Sequence, residues 1–150
     1  MKNISYKNLS LIQQKLLQEA SIVMEKSYNP YSNFFVGAAV LGDNNKIISG
    51  TNIENSAYGS TICAEASALV RAQAEGIKRI KQIALIAKNG SKNLIEPISP
   101  CGNCRQIILE FSKKSKIDIE VIMSNTKMDK IIIAKISELL PLAFGPDDLS

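Results

Sequence analysis

The sequence predicts a three-layer α/β/α fold built around a mixed sheet of about five strands. Segments whose apolar residues recur at helical spacing alternate with short apolar runs that are typical of buried strands. The chain has 150 residues and is 45% hydrophobic, which is enough material for one buried core without cross-links. We therefore expect residues 1–150 to form one domain.

The first predicted element is an amphipathic helix within residues 9–27. Its apolar residues recur at intervals of three and four, as one face of a helix requires. These residues are Leu9, Ile12, Leu16, Leu17, Ala20 and Val23. Asn29 precedes Pro30 and is therefore restricted to extended geometry, so we expect the helix to end before it.

A β-hairpin is predicted next. Apolar runs at 35–41 and 46–50 flank the turn sequence "GDNN", a pattern typical of two antiparallel strands joined by a tight loop. The small residues "GAA" at 37–39 lie in the first of these runs. We expect them to let a helix pack closely on the strand.

A second helix is predicted over residues 63–76. Gly76 is the expected end of the helix, and Ser60 and Thr61 are the candidates for its cap. One face of this helix carries three apolar residues, Ala68, Leu69 and Ala72.

The second half of the chain predicts a buried strand at 80–88 and a helix over 101–114. Ser99 and Pro100 have the residue types expected of a helix cap and a first-turn position. Two further strands and a short helix with an irregular tail follow, over 117–124, 130–136 and 137–149.

Charge and composition disfavour some classes of function. The net charge is +4, but the lysines are scattered, and the densest group, at 112–116, has no interleaved aromatic residues. Such a run is more typical of a solvated helix end than of a nucleic-acid site. An odd, small number of cysteines argues against a disulfide framework, and no apolar run has the length of a signal core or a membrane span. We expect a cytoplasmic protein.

The three cysteines are the main source of reactive chemistry, because the chain has no histidine. Cys101 and Cys104 lie three residues apart at one predicted helix start, and Cys63 lies at another. A helix N-terminus stabilises thiolates, and two such termini can direct three thiolates to one point. A disulfide, a redox dithiol, a metal site and plain buried packing are all compatible with the "CGNC" pair by itself.

Three thiolates together suit Zn²⁺ and leave its fourth tetrahedral position open. No further cysteine or histidine is available to close the site. Glu65 is the nearest carboxylate, but residues two apart on a helix point to nearly opposite sides. We therefore expect Glu65 beside the metal and not bound to it, in a position suited to proton transfer.

Together these motifs resemble those of the small, homotetrameric, zinc-dependent cytidine deaminases, and the resemblance covers nearly the whole chain. The metal motifs "CAE" and "PCGNC" are shared by the wider deaminase superfamily, whereas "NIEN" at 52–55 suggests a free nucleoside. The other shared stretches are "YSNFFVGAAV" at 31–40, "TNIENSAYG" at 51–59, "SPCGNCRQ" at 99–106 and "LLPLAFGPDDL" at 139–149.

The resemblance implies a hydrolase of pyrimidine salvage that converts cytidine and deoxycytidine to uridine and deoxyuridine with release of ammonia. It implies one zinc ion per chain, ligated by Cys63, Cys101 and Cys104, with Glu65 as the proton shuttle. It also implies a homotetramer whose active sites are shared between subunits.

The resemblance further implies the substrate contacts. Asn52 and Glu54 would bind the ribose hydroxyls, Phe34 would pack on the pyrimidine ring, and the backbone N–H of Ala64 would hold the base carbonyl. A neighbouring subunit's pocket would be completed by three more residues, Ala57, Tyr58 and Phe144.

The sequence departs from the resemblance at one position. Similar enzymes often carry arginine directly after the catalytic glutamate, where this chain has Ala66. Zinc with three thiolates has a net negative charge, which makes its water less acidic than at a histidine site. Arg105 and the two helix dipoles are the remaining candidates for compensating that charge.

Other functions remain open from the sequence. A cytosine-like antibiotic such as blasticidin S is an alternative substrate for a similar metal frame. From other classes, the chain is compatible with a thiol redox protein that uses Cys101 and Cys104, or with a non-catalytic zinc-stabilised binding module. Deamination of polynucleotides is disfavoured, because the chain lacks a basic groove with aromatic residues.

Overall fold

A mixed sheet of seven strands forms the middle layer of the computed structural model, which describes residues 1–149. Ser150, the last residue of the predicted domain, lies outside the described residues. The strands are β1 (Lys2–Ile4), β2 (Phe34–Gly42), β3 (Ile47–Thr51), β4 (Ile80–Asn89), β5 (Lys92–Asn93), β6 (Glu120–Ser124) and β7 (Ile131–Lys135). The helices are α1 (Leu11–Met24), α2 (Ala64–Ala74), α3 (Gly102–Ser115) and α4 (Ile136–Leu139).

The strand order is β1-β7-β6-β4-β2-β3, and β5 pairs with β4 at the end of that strand. Only β4 and β6 run parallel, while the other pairs are antiparallel. The predicted fold class is confirmed, with seven strands in place of about five. The two additional strands, β1 and β5, have three and two residues, which is too short to give an apolar alternation in the sequence.

The helices lie on both faces of the sheet, as predicted. On one face, α1 buries Leu16, Leu17 and Ala20 against alternate residues of the central strands. On the other face, α2 and α3 pack over the remaining residues of the same strands. The last buried position of α1 is Met24 and not the predicted Val23.

Two glycines allow helices to approach the hairpin closely. A Cβ on Gly37 of β2 would lie 1.9 Å from the carbonyl oxygen of Ala20 in α1. A Cβ on Gly50 of β3 would lie 2.4 Å from the backbone nitrogen of Ala68 in α2. The prediction that the small residues at 37–39 permit close helix packing is therefore confirmed at Gly37, and Gly50 adds a second close approach that the sequence analysis did not predict.

Both predicted helix caps are wrong, because a cysteine occupies each cap position. Cys63 is the N-cap of α2, and Thr61 instead accepts a hydrogen bond from the backbone N–H of Asn55 at 3.2 Å. Cys101 is the N-cap of α3 in place of Ser99, and its sulfur accepts the N–H of Cys104 at 3.5 Å. Within residues 1–149, no helix has both the length and the apolar character needed to cross a membrane.

Candidate metal centre and active site

The sulfurs of Cys63, Cys101 and Cys104 all lie within 4.8 Å of one another. Cys63 caps α2, while Cys101 caps α3 and Cys104 lies in its first turn. Both helices pack on the same face of the sheet, and the short distances between the sulfurs show that their N-termini converge there. Two thiolates bound to one zinc ion at about 2.3 Å in tetrahedral geometry lie about 3.8 Å apart. The spacing and the all-thiol donor set therefore fit Zn²⁺.

Hydrogen bonding couples two of these thiols. The hydrogen bond with Cys104 lowers the pKa of Cys63 to about 7, and the same bond together with burial raises the pKa of Cys104. The Cys63 thiolate thus forms readily at neutral pH. A bound dication would favour the thiolate form of all three side chains.

Glu65 lies in the first turn of α2, and its side chain is 5% exposed. Burial raises the pKa of this carboxyl group, because the low-dielectric surroundings disfavour its charged form. General acid–base groups in enzymes commonly have a carboxyl pKa raised in this direction. The structure therefore places a buried carboxyl group with a raised pKa next to the three thiols.

A cavity of about 500 Å³ opens over the thiols and Glu65, within the range of about 300–1,000 Å³ that is typical of small-molecule sites. Four of the predicted substrate residues line it, namely Phe34, Asn52, Glu54 and Ala64. Three of the four predicted metal and catalytic residues line it as well, namely Cys63, Glu65 and Cys101. The lining residues are Ser32, Phe34, Val36, Asn52, Glu54, Thr61, Cys63, Ala64, Glu65, Ile98, Ser99 and Cys101. Ala64 is the first residue of α2, so its backbone N–H has no hydrogen-bond partner within the helix.

Asn52 is bound tightly to the beginning of β2. Its side-chain oxygen accepts the N–H of Val36 at 2.9 Å, and its amide nitrogen donates to the carbonyl of Phe34 at 2.9 Å. The hydroxyl of Ser27 also donates to the side-chain oxygen. One N–H of the amide remains for a ligand.

Glu54 is held by three donors from the preceding turn. Its carboxylate accepts the N–H of Tyr31 at 2.9 Å and the N–H of Ser32 at 3.2 Å, and the Ser32 hydroxyl donates to its second oxygen. These bonds, led by that of the hydroxyl, lower the pKa of Glu54. Sequence reasoning missed Ser32, and the turn sequence "NPYSN" was the only signal, since turn serines commonly bond nearby backbone.

The three residues expected at a neighbouring pocket are all exposed. Tyr58 lines a smaller hollow of about 270 Å³ beside the main cavity, where its ring lies 5.8 Å from that of Tyr31. Ala57 directly precedes it. Phe144 lies in the C-terminal tail with 61% of its surface exposed and is not among the residues that line either hollow.

Arg105 directs its guanidinium group to oxygen atoms. Its three acceptors are the carbonyl oxygens of Pro100 and Leu139 and the hydroxyl of Ser99. Within residues 1–149 it makes no hydrogen bond to a cysteine sulfur. Direct contact with the thiolates, the simplest form of charge compensation, is therefore not seen.

Comparison with known proteins agrees with this geometry. The family model for the cytidine and deoxycytidylate deaminase zinc-binding region matches residues 11–119. The chain is 42% identical over 137 residues to a cytidine deaminase of Sporosarcina psychrophila, covering 91% of this chain and 94% of the relative. It is 41% identical to one of Halalkalibacterium halodurans, covering 91% and 97%.

Among solved structures, the cytidine deaminase of Burkholderia pseudomallei superposes with a TM-score of 0.79 at 36% identity, covering 91% of this chain and 100% of that one. The enzyme of Mycobacterium tuberculosis gives a TM-score of 0.72 at 29% identity, covering 91% and 99%. With the all-thiol donor set, these matches fit one zinc ion per chain. The chain therefore belongs to the cytidine and deoxycytidylate deaminase family.

Proposed function

We propose that this chain is a zinc-dependent hydrolase that deaminates cytidine and deoxycytidine to uridine and deoxyuridine, releasing ammonia, in pyrimidine salvage. One observation carries the proposal: three thiols within 4.8 Å of one another adjoin a nucleoside-sized cavity that also contains a buried glutamate. The cytidine deaminases to which the chain is similar support this substrate class. A single domain over residues 1–150 would carry the activity.

The thiolates of Cys63, Cys101 and Cys104 would hold the zinc ion. Zinc bound there supplies Lewis-acid chemistry that makes water nucleophilic near neutral pH. Both helix N-termini direct their positive ends at the sulfurs, which offsets part of the negative charge of three thiolates.

Glu65 would carry the protons of the reaction. It takes one proton from the attacking water and passes it to N3 of the pyrimidine, which makes C4 electrophilic. The water oxygen bonds to C4, and Glu65 then moves the remaining hydroxyl proton to the amino group. The C4–N bond breaks, ammonia leaves, and the C4 carbonyl of uridine forms.

The cavity walls would orient the nucleoside. Phe34 offers an apolar face for the pyrimidine ring, and the Ala64 N–H is free to donate to the base carbonyl. Glu54 presents an anionic acceptor and Asn52 a remaining N–H, which are complementary to the two hydroxyls of ribose. Deoxycytidine offers one hydroxyl fewer to this pair.

We further propose a homotetramer in which Ala57, Tyr58 and Phe144 complete a neighbouring site. The exposed aromatic side chains of Tyr58 and Phe144 support it, since large exposed apolar groups commonly mark interfaces.

The cytoplasm is the proposed compartment, because three thiols that bind a metal must stay reduced.

An ultraviolet assay of cytidine loss with the zinc-loaded protein tests the proposed function. We expect turnover of cytidine and deoxycytidine, one zinc ion per chain and no dithiol that reacts before the metal is removed. Turnover of blasticidin S without turnover of cytidine would assign the antibiotic instead. A free, reactive dithiol without zinc would assign a redox function, and bound zinc without turnover of any of these compounds would leave a binding module.

A further inference from the structure

Arg105 uses three different nitrogens to bind three separate oxygens. Nε donates to the carbonyl of Pro100 at 2.8 Å, Nη1 to the carbonyl of Leu139 at 3.0 Å, and Nη2 to the hydroxyl of Ser99 at 3.1 Å. Arg105 is partly buried. Such a fork of donors has a fixed geometry, so it also fixes the relative positions of its acceptors.

Two of these acceptors belong to the two residues directly before Cys101. The segment 94–101 has no helix or strand, and Cys101 is the exposed member of the three cysteines. Cys104, by contrast, is buried within α3. Cys101 follows this loop directly, so the position of its sulfur depends on contacts that the loop makes.

The third acceptor ties this loop to another element. Leu139 is the last residue of α4, and its carbonyl is one of the groups that a helix leaves unpaired at its C-terminal end. Arg105 itself lies on α3, one residue after Cys104. Its guanidinium group thus joins the loop, α3 and α4 at a single point.

We propose that Arg105 is a positioning residue that holds the loop before Cys101 so that its sulfur keeps metal-binding distance from Cys63 and Cys104. This inference rests on the proposed metal centre. It assigns Arg105 a geometric role, because its three side-chain hydrogen bonds go to oxygens of the loop and of α4 and none goes to a cysteine sulfur. Within residues 1–149, Arg105 also forms no ion pair with a carboxylate.

Arg105→Lys separates the two roles. Lysine keeps the positive charge near the thiolates but presents a single ammonium group that cannot reproduce the three-way fork. If Arg105 acts by positioning the loop before Cys101, Arg105→Lys and Arg105→Ala both release zinc to a chromogenic chelator about 10–100-fold faster than the parent protein. The cobalt-substituted variants then also show altered cobalt–thiolate absorption bands.

Arg79→Ala is the matched control, because Arg79 also donates to a backbone carbonyl of α3, that of Ser115 at 2.9 Å, at the opposite end of the helix. Its zinc release is expected to equal that of the parent. Ser99→Ala removes one of the three acceptors and is expected to accelerate release by a smaller factor than Arg105→Ala. If Arg105→Ala does not fold, Arg105→Lys and Ser99→Ala decide the question.

Parental zinc release by Arg105→Lys, with fast release by Arg105→Ala, would overturn the positioning role in favour of charge. Parental release by both would overturn any role at the metal, and accelerated release by Arg79→Ala would attribute the effect to α3 stability. A parent protein that binds zinc without deaminating cytidine would refute only the proposed function. One that binds no zinc would refute both proposals.

Discussion

At the scale of the residue, three consecutive positions at the beginning of α2 divide the proposed chemistry among them. The sulfur of Cys63 faces the other two thiols, the N–H of Ala64 is free of helical partners, and the carboxyl group of Glu65 is buried beside them. A helix N-terminus leaves its first N–H groups unpaired and stabilises anions. In the proposed mechanism, one turn of helix therefore provides a zinc ligand, a hydrogen-bond donor and a proton carrier.

Glu65→Gln removes the proton carrier and keeps the shape of the side chain. We expect full zinc content and a fall in kcat of about 10²–10⁴-fold, the usual contribution of a positioned acid–base group. Metal analysis and the cytidine assay measure the two quantities. Glu75→Gln, at the other end of the same helix, is the control with parental turnover; near-parental turnover of Glu65→Gln would refute the mechanism.

Ser32→Ala removes the hydroxyl that donates to Glu54 and accepts the N–H of Phe34 at 3.0 Å. Glu54 then loses the hydrogen bond that contributes most to its lowered pKa, and its pKa moves back toward the ordinary value. We expect KM for cytidine to rise roughly three- to tenfold with kcat little changed, as the loss of one hydrogen bond implies. Ser32→Thr keeps the hydroxyl and is expected to restore KM; an unchanged KM in Ser32→Ala would remove Ser32 from substrate positioning.

At the scale of the element, the hairpin of β2 and β3 is held between helices by backbone-to-backbone contact. Gly37 touches α1 on one face of the sheet, and Gly50 touches α2 on the other. Because β2 begins at Phe34 and β3 leads directly to Asn52, the hairpin also positions two residues of the cavity. Close packing of the helices and the geometry of the site are thus coupled through the same two strands.

Gly37→Ala places a methyl group against the carbonyl oxygen of Ala20, a backbone atom that can move only with the whole of α1. We expect the free energy of unfolding to fall by about 1–3 kcal/mol or more, the usual cost of overpacking. Urea denaturation of the zinc-loaded protein measures the change. At Gly59 an added methyl group meets nothing within 4 Å, so Gly59→Ala is the control, and equal stability of the two variants would contradict the packing argument.

At the scale of the whole molecule, the three thiols lie beside an apolar core that is formed by other residues on both faces of the sheet. The core has two apolar layers, one under α1 and one under α2 and α3. Both consist largely of side chains that are almost wholly buried. The thiols lie at the ends of helices that these layers already hold in place. We therefore predict a metal site that the fold supports, unlike a zinc finger, which folds around its metal.

Removal of zinc by a chelator is expected to abolish turnover and to leave the helix content unchanged. We expect the free energy of unfolding to fall only by the stabilisation that zinc binding had provided. This is about 3–4 kcal/mol where zinc had been present at 100–1,000 times its Kd. Circular dichroism and thermal unfolding of the metal-free protein measure both effects. Cooperative loss of the fold on chelation would show instead that the metal is structural.

The sequence by itself predicted the candidate site and most of the local elements. Residue type and short spacing were enough to identify Cys63, Cys101, Cys104 and Glu65 as a candidate zinc site, because helical periodicity and helix-end electrostatics act over a few neighbouring residues. The layered fold followed from the same local patterns, since each amphipathic segment must cover an apolar face.

Only the tertiary structure decided which distant groups meet. The order of strands, the convergence of the two helix N-termini, the hydrogen bonds of Asn52 to β2 and the oxygen partners of Arg105 all depend on contacts between segments far apart in the chain. Even the two helix caps were predicted wrongly. Serine and threonine are the usual N-cap residues, and the sequence has them close to the cysteines that occupy the caps. Local spacing fixes what a residue can do, whereas packing across the sheet fixes what it touches.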